Sequence, residues 1–428
     1  MISQEQNDLL TQTAPGTPMG ALFRRYWIPL LLSTELPEPD CAQIQVKVLS
    51  EQLLAFRDTQ GRVGLISEFC AHRRVSLWYG RNEEGGIRCA YHGWKYDVNG
   101  QCLEVPSESA ERGFAQRVKL QSYPCVERGG VIWTYMGPPE HKPSFPDFEW
   151  MAVPQAQRYV NKRWQESNYL QSMEGGIDGA HVSWLHSGAM EHEPMRAGSK
   201  GAQYQKDTKP KIEVMNSPTG LLIGARRNAE AGQHYWRVTQ WILPWYTMIP
   251  PYGDHALHGH AWVPIDEHNC FVWTLTHHPT RALTTEEHTA MSDGKGLYPE
   301  LIPGSFHPAQ NRQNRFGMDR AAQKAGIYYS GIPGIAMQDA SLQESAGAIV
   351  DRSREMLVSS DNAIIMARNR LMKCALALEQ GVEPPALDPL THRVRSASFV
   401  KPANMDFAEA VQEVIESKPE IGVAHTSI

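Results

Sequence analysis

Short apolar runs separated by turns follow one another between residues 40 and 140. The clearest runs are 44–49, 53–56, 63–66 and 130–135. The turns Asp58-Thr59-Gln60-Gly61 and Asp97-Val98-Asn99-Gly100 both end in glycine, as hairpin loops often do. The pattern predicts a small all-β domain over 43–140. Residues 1–42 are predicted to be an N-terminal segment that packs on the domain following it.

Longer elements are predicted from residue 141 onwards. Helical patterns cover 165–187, which Gly175-Gly176 interrupts, then 359–380 and 403–417. Long strand patterns cover 211–227, 234–249 and 257–277. On the middle strand Tyr235, Arg237 and Thr239 share one face at a period of two. Residues 141–428 are therefore predicted to form a larger domain, and the chain an α+β protein.

Composition and charge exclude several classes of protein. The 428 residues carry 41 Lys and Arg against 47 Asp and Glu, a net charge of −6, which disfavours a nucleic-acid binder. No run approaches the roughly 18 apolar residues of a membrane span. The first twenty residues lack the basic and apolar parts of a signal peptide, so we expect a cytoplasmic protein. Seven irregularly spaced cysteines favour metal ligation or burial over a disulfide framework.

Two Cys–His pairs in the β domain form the first candidate site. Cys70-Ala71-His72 is followed, after sixteen residues, by Cys89-Ala90-Tyr91-His92. One zinc ion could take all four side chains, or a Rieske [2Fe–2S] cluster could bind both thiolates on one iron and both imidazoles on the other. Because each pair mixes Cys with His, whereas zinc fingers usually separate the two types, the spacing favours the cluster.

A mononuclear metal site is predicted in the segment 174–186. On a helix Glu174, Asp178 and His181 share a face, while His186 lies about 140° further round. Both histidines therefore reach one ion only if the helix bends, ends or bulges between them. Two His and one carboxylate would leave positions open for O2 and substrate. The best candidate for the carboxylate is Asp361, at the start of the long C-terminal helix, where it could also be a favourable helix N-terminal charge.

Together these motifs resemble the Rieske non-haem iron oxygenases, in particular the oxygenase (alpha) components of the phthalate dioxygenase subgroup. The segment from Ser360-Asp361 to Arg368 is similar to the part of that subgroup that carries the third iron ligand, and Gln338-Asp339 and Asp351-Arg352-Ser353 are similar to it too. The resemblance implies a Rieske domain and a catalytic domain of helix-grip type. It also implies a [2Fe–2S] cluster on Cys70, His72, Cys89 and His92, and Fe(II) on His181, His186 and Asp361.

The resemblance further implies how the parts work together. Asp178 would join a cluster histidine, His92 of a neighbouring subunit, to His181, which implies a ring of subunits, most simply a homotrimer. No G-x-G-x-x-G follows a strand, so a separate NAD(P)H-dependent reductase would supply the electrons.

The expected substrate is an aromatic acid that reacts with O2. Arg237, on the middle strand, resembles an arginine that binds carboxylate in this subgroup, and Lys211 stands where a second arginine is expected. The expected reaction is cis-dihydroxylation of a substituted benzoate or phthalate. The alternative within the family is O-demethylation of a methoxylated aromatic acid. Outside it, the alternatives are an electron-transfer Rieske protein and a zinc-stabilised binding module.

Overall fold

The computed structural model describes residues 1–187, 206–230, 232–251 and 255–415, which form two units. The smaller unit consists of Ala14–Gly16 and Gly20–Pro143. The larger unit takes Met1–Thr13, Thr17–Met19 and the chain from Ser144 onwards. Each unit therefore has its own core and is described separately.

The smaller unit consists of short antiparallel strands. They are β1 (Trp27–Leu32), β2 (Ile44–Val48), β3 (Glu51–Arg57), β4 (Val63–Ser67), β5 (Arg81–Glu83), β6 (Gly86–Arg88), β7 (Lys95–Tyr96), β8 (Cys102–Glu104), β9 (Cys125–Arg128) and β10 (Val131–Tyr135). Three sheets result, ordered β1-β10-β9, β2-β3-β4 and β5-β6-β7-β8. The buried residues Leu54, Phe56, Ile66, Ile87 and Tyr96 belong to one core cluster of this unit.

The predicted boundary at residue 42 differs from the observed one. Residues 1–13 belong to the larger unit, but residues 20–42 fold with the smaller one. The reason is strand pairing: β1 runs antiparallel to β10, with Trp27 opposite Tyr135 and Leu32 opposite Val131. The apolar run Trp27-Ile28-Pro29-Leu30-Leu31 is therefore a buried strand of the β unit.

One antiparallel sheet organises the larger unit. Its strands are β11 (Arg158–Gln165), β12 (Lys211–Asn216), β13 (Gly220–Asn228), β14 (Gln233–Ile242), β15 (Tyr246–Ile249), β16 (Leu257–Pro264), β17 (Cys270–His277) and β18 (Ala397–Pro402). Their order is β11-β17-β16-β15-β14-β13-β12, and β18 pairs with the first half of β14. The helices are α1 (Gln4–Thr11), α2 (Pro18–Phe23, which spans the division between the units), α3 (Glu149–Ala152), α4 (Tyr169–Ile177), α5 (Thr285–Ser292), α6 (Arg320–Lys324), α7 (Ile335–Ser345), α8 (Asn362–Glu379) and α9 (Phe407–Ile415).

The two faces of β13 and β14 have different partners because side chains alternate along a strand. On one face Leu222, Trp236 and Val238 pack against Phe407 of α9. On the other face Ile223, Ala225, Arg237 and Thr239 line a cavity, on the face that the period of two predicted for Arg237 and Thr239. One face of the sheet thus lines the cavity, and α9 covers the opposite face of the sheet.

The remaining helices and strands are of the type that the sequence predicts, but their lengths differ from the predicted ones. The long C-terminal helix is confirmed as α8, whereas 211–227 is a hairpin in which Ser217 N donates to Gly220 O at 3.0 Å. The last helix is α9, and residues 416 and 417 of its predicted span lie outside the described residues. In the described parts of the chain, the helices all fall short of the length and apolar character that a membrane crossing requires.

Candidate metal centres and substrate cavity

The two Cys–His pairs occupy loops with the same backbone hydrogen bonds. Cys70 N donates to Val75 O, and Arg74 N donates back to Cys70 O, both at 2.9 Å. In the second loop Cys89 N donates to Trp94 O at 2.8 Å, and Gly93 N to Cys89 O at 2.9 Å. The fifth residue of each loop has positive φ, 57° at Arg74 and 75° at Gly93. Two equivalent turns therefore present one thiol and one imidazole each.

The four side chains divide into a buried pair and an exposed pair. Cys70 and Cys89 are buried, and their sulfurs are close enough that Cys89 adds to the effect of burial in raising the pKa of Cys70. His72 and His92 are exposed, with ring centroids 4.5 Å apart. Trp94 stacks on His72 at 4.9 Å, and the Tyr96 hydroxyl lies 3.2 Å from the Cys70 sulfur. This donor set, two thiols on one side and two imidazoles on the other, fits a Rieske cluster.

A second group of donors lies in the larger unit. His181 Nε2 and His186 Nε2 are 3.2 Å apart, and Asp339 Oδ1 lies 3.6 Å and 3.4 Å from them. Bonds of about 2.1 Å at right angles would separate donor atoms by about 3 Å, so one ion fits between all three. These three side chains lie close enough together to hold one metal ion, since their ligand atoms are all within 4.8 Å of one another. Two imidazoles and one carboxylate suit Fe(II) with open positions.

Each histidine has a side-chain oxygen near its other nitrogen. Asp178 Oδ2 lies 3.4 Å from His181 Nδ1, and Asp178 Oδ1 accepts a hydrogen bond from Ala180 N at 2.7 Å. Gln338 Oε1 lies 2.8 Å from His186 Nδ1, and Gln338 Nε2 donates to Ile332 O at 2.9 Å. Both partners favour protonation at Nδ1 and leave Nε2 for the ion.

The carboxylates keep this centre negatively charged. Burial alone raises the pKa of Asp178 and of Asp339, but the neighbouring histidines lower it further than burial raises it. Burial lowers the pKa of His181, and Asp178 outweighs this and raises it to about 9. Two ionised carboxylates therefore face the histidines, and a metal ion that binds here replaces the proton that His181 holds at neutral pH.

Local sequence explains why both histidines reach one point. Helix α4 begins after Asn168, whose side chain accepts from Leu170 N, and ends at Ile177. A 3-10 turn, His181–Ser183, then follows, so the α-helix ends before both histidines and not between them as the sequence predicted. Arg227 Nη2 fastens this turn to the sheet by donating to Gly179 O at 2.8 Å and Ser183 Oγ at 3.0 Å.

The prediction that Asp361 completes the site is wrong in this structure. Asp361 ends a 3-10 turn before α8, and its Oδ2 accepts from Val358 N at 2.7 Å. That turn contacts β12, whereas α7, which carries Asp339, packs against α4. The carboxylate therefore comes from the helix beside the histidines. The sequence around Asp339 also offered an indication of its role. A carboxylate between Ala336-Met337 and Ala340, on a largely buried helix, needs a partner.

Glu174, near the end of α4, has a structural role. Its carboxylate accepts from Arg368 Nε at 2.7 Å and from Arg352 Nη2 at 3.0 Å, and all three residues are buried. Arg352 also donates to Asn7 of α1. This network ties α4 to α1 and α8 and is distinct from the metal site.

The metal donors open into a cavity of about 950 Å³, including its mouth. Its walls are largely apolar and include Ile223, Ile249, Trp262, Val272 and Leu297. Arg237 lies in the wall as predicted and is buried. Arg163, which the sequence did not single out, lines it too.

Lys211 does not reach the cavity, which corrects its predicted role as a substrate contact. Its side chain is 65% exposed and lies 3.4 Å from Glu213. The alternation along β12 is the reason: Ile212 points inward, to the space beside Gly179, and Lys211 points the other way.

Comparison with known proteins identifies both halves of the chain. A Rieske [2Fe–2S] domain model matches residues 26–124, and a model described as LigXa C-terminal domain like matches residues 134–426. The second match covers more than an electron-transfer Rieske protein or a zinc-stabilised module would need, so both alternatives from other classes are excluded.

Characterised relatives are similar over nearly the whole chain. A 3-chlorobenzoate-3,4-dioxygenase oxygenase subunit of Comamonas testosteroni is 34% identical over 97% of this chain and 99% of its own length. A phthalate 4,5-dioxygenase oxygenase subunit of Pseudomonas putida is 36% identical over 89% and 88%. A 5,5'-dehydrodivanillate O-demethylase oxygenase subunit of a Sphingobium species is 28% identical over 92% and 85%.

A solved structure confirms the predicted α+β fold. The crystal structure of dicamba monooxygenase bound to dicamba has a TM-score of 0.57 at 18% identity, over 84% of this chain and 99% of that one. As an oxygenase subunit, the protein works on an aromatic substrate with O2 and a reductase partner. The chain therefore belongs to the Rieske non-haem iron aromatic ring-hydroxylating oxygenases, as an oxygenase (alpha) subunit with a [2Fe–2S] cluster and a mononuclear iron site.

Proposed function

We propose that this protein catalyses the O2- and NAD(P)H-dependent cis-dihydroxylation of an aromatic carboxylate, a substituted benzoate or a phthalate. The observation that carries the proposal is the placement of His181, His186 and Asp339 at a largely apolar cavity that also contains the buried Arg237. The 3-chlorobenzoate and phthalate relatives support it. The O-demethylase relative makes demethylation of a methoxylated aromatic acid the second candidate.

We assign the cluster to Cys70, His72, Cys89 and His92, and the iron to His181, His186 and Asp339. When bound, the two groups supply one-electron storage and the reduction of O2. The protein contributes the rest: buried thiols exclude water from one side of the cluster, and Asp178 and Gln338 fix the imidazole orientation at the iron.

Arg237 orients the substrate in this proposal. A guanidinium binds a carboxylate through two parallel hydrogen bonds, which fixes both the position and the plane of an attached ring. The apolar walls then take the ring and exclude water, with the metal donors at one end of the cavity.

Electron delivery between subunits explains two exposed features. His72 and His92 are exposed on the smaller unit, and Trp184, Tyr329 and Leu342 are each more than half exposed in the larger unit, beside His181. We propose that these three residues, the apolar patch, receive the smaller unit of a neighbouring subunit. Asp178 would then link the neighbour's His92 to His181. Repetition of this head-to-tail contact closes into a ring, most simply a homotrimer.

A substrate panel tests the proposed reaction. The purified oxygenase is incubated with a matched reductase, NADH, ¹⁸O2 and substituted benzoates, phthalates or methoxybenzoates, and products are identified by mass. Dihydroxylation predicts a product with both atoms of one O2. Loss of a methyl group as formaldehyde, with one atom of O2 passing to the formaldehyde, the other to water and none to the ring product, would instead establish the demethylase. No oxidation of any aromatic acid would refute both.

A further inference from the structure

Arg163 is a buried cation in the cavity wall whose bonding is incomplete. It lies on β11 and is 5% exposed. Its Nη1 donates to Gln165 Oε1 at 2.5 Å, while its Nε is buried without a hydrogen-bond partner. In the described part of the chain it forms no ion pair with an Asp or Glu, and the groups that interact with its charge are Cys270, Glu344 and Asp339.

This arrangement contrasts with that of two other buried arginines of the larger unit. Arg352 and Arg368 are as buried as Arg163, and each binds the carboxylate of Glu174 at 2.7–3.0 Å. A guanidinium that leaves water without a counter-ion is costly for the folded state, and burial here lowers the pKa of Arg163. A cost of this kind is expected where a ligand supplies the missing anion.

Arg163 and Arg237 stand on different parts of the sheet. Strands β17, β16 and β15 lie between β11 and β14, so the two backbones are roughly 19 Å apart along the sheet, four spacings of about 4.8 Å. Arg163 is opposite Val272, which is opposite Trp262, and both of these residues line the cavity. An apolar floor therefore separates two cationic ends.

We propose that Arg163 is a second anion-binding residue of the cavity, and that the substrate is an aromatic acid with a second acidic group directed away from the first. The simplest ligand of this class is a benzenedicarboxylate with its carboxylates in meta or para positions. This inference rests on the proposed function, because it assigns the first carboxylate to Arg237. It adds to that function a preference for dianions over monoanions.

A structural role for Arg163 would have a different signature. Its positive charge lowers the pKa of Asp339, so it could serve the metal site. Loss of that support would reduce iron content and weaken every ligand alike. Loss of an anchor would weaken only those ligands that carry the second acidic group.

The test is calorimetric binding of benzoate, benzene-1,3-dicarboxylate and benzene-1,4-dicarboxylate to the iron-loaded oxygenase and to Arg163→Gln, with iron measured for each protein. We expect at least one dicarboxylate to bind more tightly than benzoate, and Arg163→Gln to weaken it about tenfold or more while benzoate affinity and iron content stay unchanged. Lys162→Gln is the matched control, since Lys162 neighbours Arg163 on β11 but contacts Phe271 and Phe306 on the other face.

Equal weakening of benzoate and the dicarboxylates, loss of iron, or no preference for a dicarboxylate would overturn the inference. Because binding is measured without turnover, the result is separate from the substrate panel. If benzoates are oxidised but dicarboxylate binding does not depend on Arg163, only the proposal of a second anion-binding residue is refuted. If dicarboxylate binding depends on Arg163 but no aromatic acid is oxidised, only the proposed reaction is refuted.

Discussion

Single side chains decide what the larger unit can bind. Gln338 binds His186 Nδ1 with one polar atom and a backbone carbonyl with the other, so its position is fixed at both ends. Asp178 accepts from Ala180 N with one oxygen and places the other 3.4 Å from His181 Nδ1. His181 and His186 therefore present Nε2 to the same point. Asp339 completes the group from a neighbouring helix.

We predict that Asp339→Ala loses the mononuclear iron while the cluster stays intact. Iron per protomer should fall from about three to about two, with the visible absorption of the cluster unchanged and aromatic oxidation abolished. Asp361→Ala is the matched control, because that carboxylate caps a turn, and should keep all its iron. Iron loss in the control but not in Asp339→Ala would restore Asp361 as the third ligand.

At the scale of secondary structure, the end of α4 depends on close approach to the sheet. A Cβ built on Gly176 would lie 2.1 Å from the ring of Trp262, and one on Gly175 would lie 2.3 Å from the Gln343 side chain. The Gly-Gly pair that interrupts the helical pattern therefore permits packing. It brings the iron-binding turn against the cavity wall.

We predict that Gly176→Ala destabilises the larger unit by about 1–3 kcal/mol, because the added methyl overlaps a buried indole. Thermal unfolding and iron content measure the effect. The double variant Gly176→Ala, Trp262→Phe should recover part of the loss, since phenylalanine lacks the ring atom in closest contact. If the double variant is no more stable than Gly176→Ala, the overlap with Trp262 is not the cause of the destabilisation.

Sequence reasoning succeeded where a motif or a period contained the answer. The Cys–His spacing, the two iron-binding histidines and the cavity face of Arg237 are all local patterns. It failed where segments that are distant in the sequence come together in the fold. Asp339 reaches His186 across 153 positions, and only the packing of α7 on α4 selects it over Asp361. Lys211 was misplaced because one step along a strand reverses the face.

At the scale of the whole molecule, ion pairs outside the site govern behaviour in acid. The side chain of Glu149 is only 7% exposed, and hydrogen bonds from Arg395 and His277 outweigh the effect of burial and lower its pKa to about 2, from an ordinary value of 4.5. A lowered pKa stabilises the folded state above pH 4.5, and that contribution is lost as the pH falls from 4.5 towards 2.

We therefore predict that Glu149→Gln is less stable than the parent at pH 7, by about 2 kcal/mol, and that the difference shrinks between pH 4.5 and pH 2. Urea unfolding across this range measures it. Asp147→Asn, in the more exposed pair with Arg393, is the control and should show a smaller difference. A constant difference at all pH values would mean that Glu149 acts through packing alone.

The proposed ring of subunits makes a further prediction at this scale. Trp184→Glu puts a charge into the apolar patch, so we expect the trimer to dissociate and NADH-driven oxidation to fall strongly. Sedimentation measures the assembly. Met356→Glu, on a residue that is 91% exposed, is the control and should remain trimeric. A trimer unaffected by the Trp184 substitution would move the interface elsewhere.

The division of the chain into units also shapes its synthesis. The first helix belongs to the larger unit, where Asn7 binds Val350 O and Arg352, yet the whole smaller unit intervenes. On the ribosome, the β unit has all its strands once residue 135 has emerged, while the opening helix must wait about 215 further residues for Val350 and Arg352. A nascent chain thus exposes an unpaired helix and an open sheet for most of its elongation. Chaperone assistance should therefore raise the yield of active enzyme.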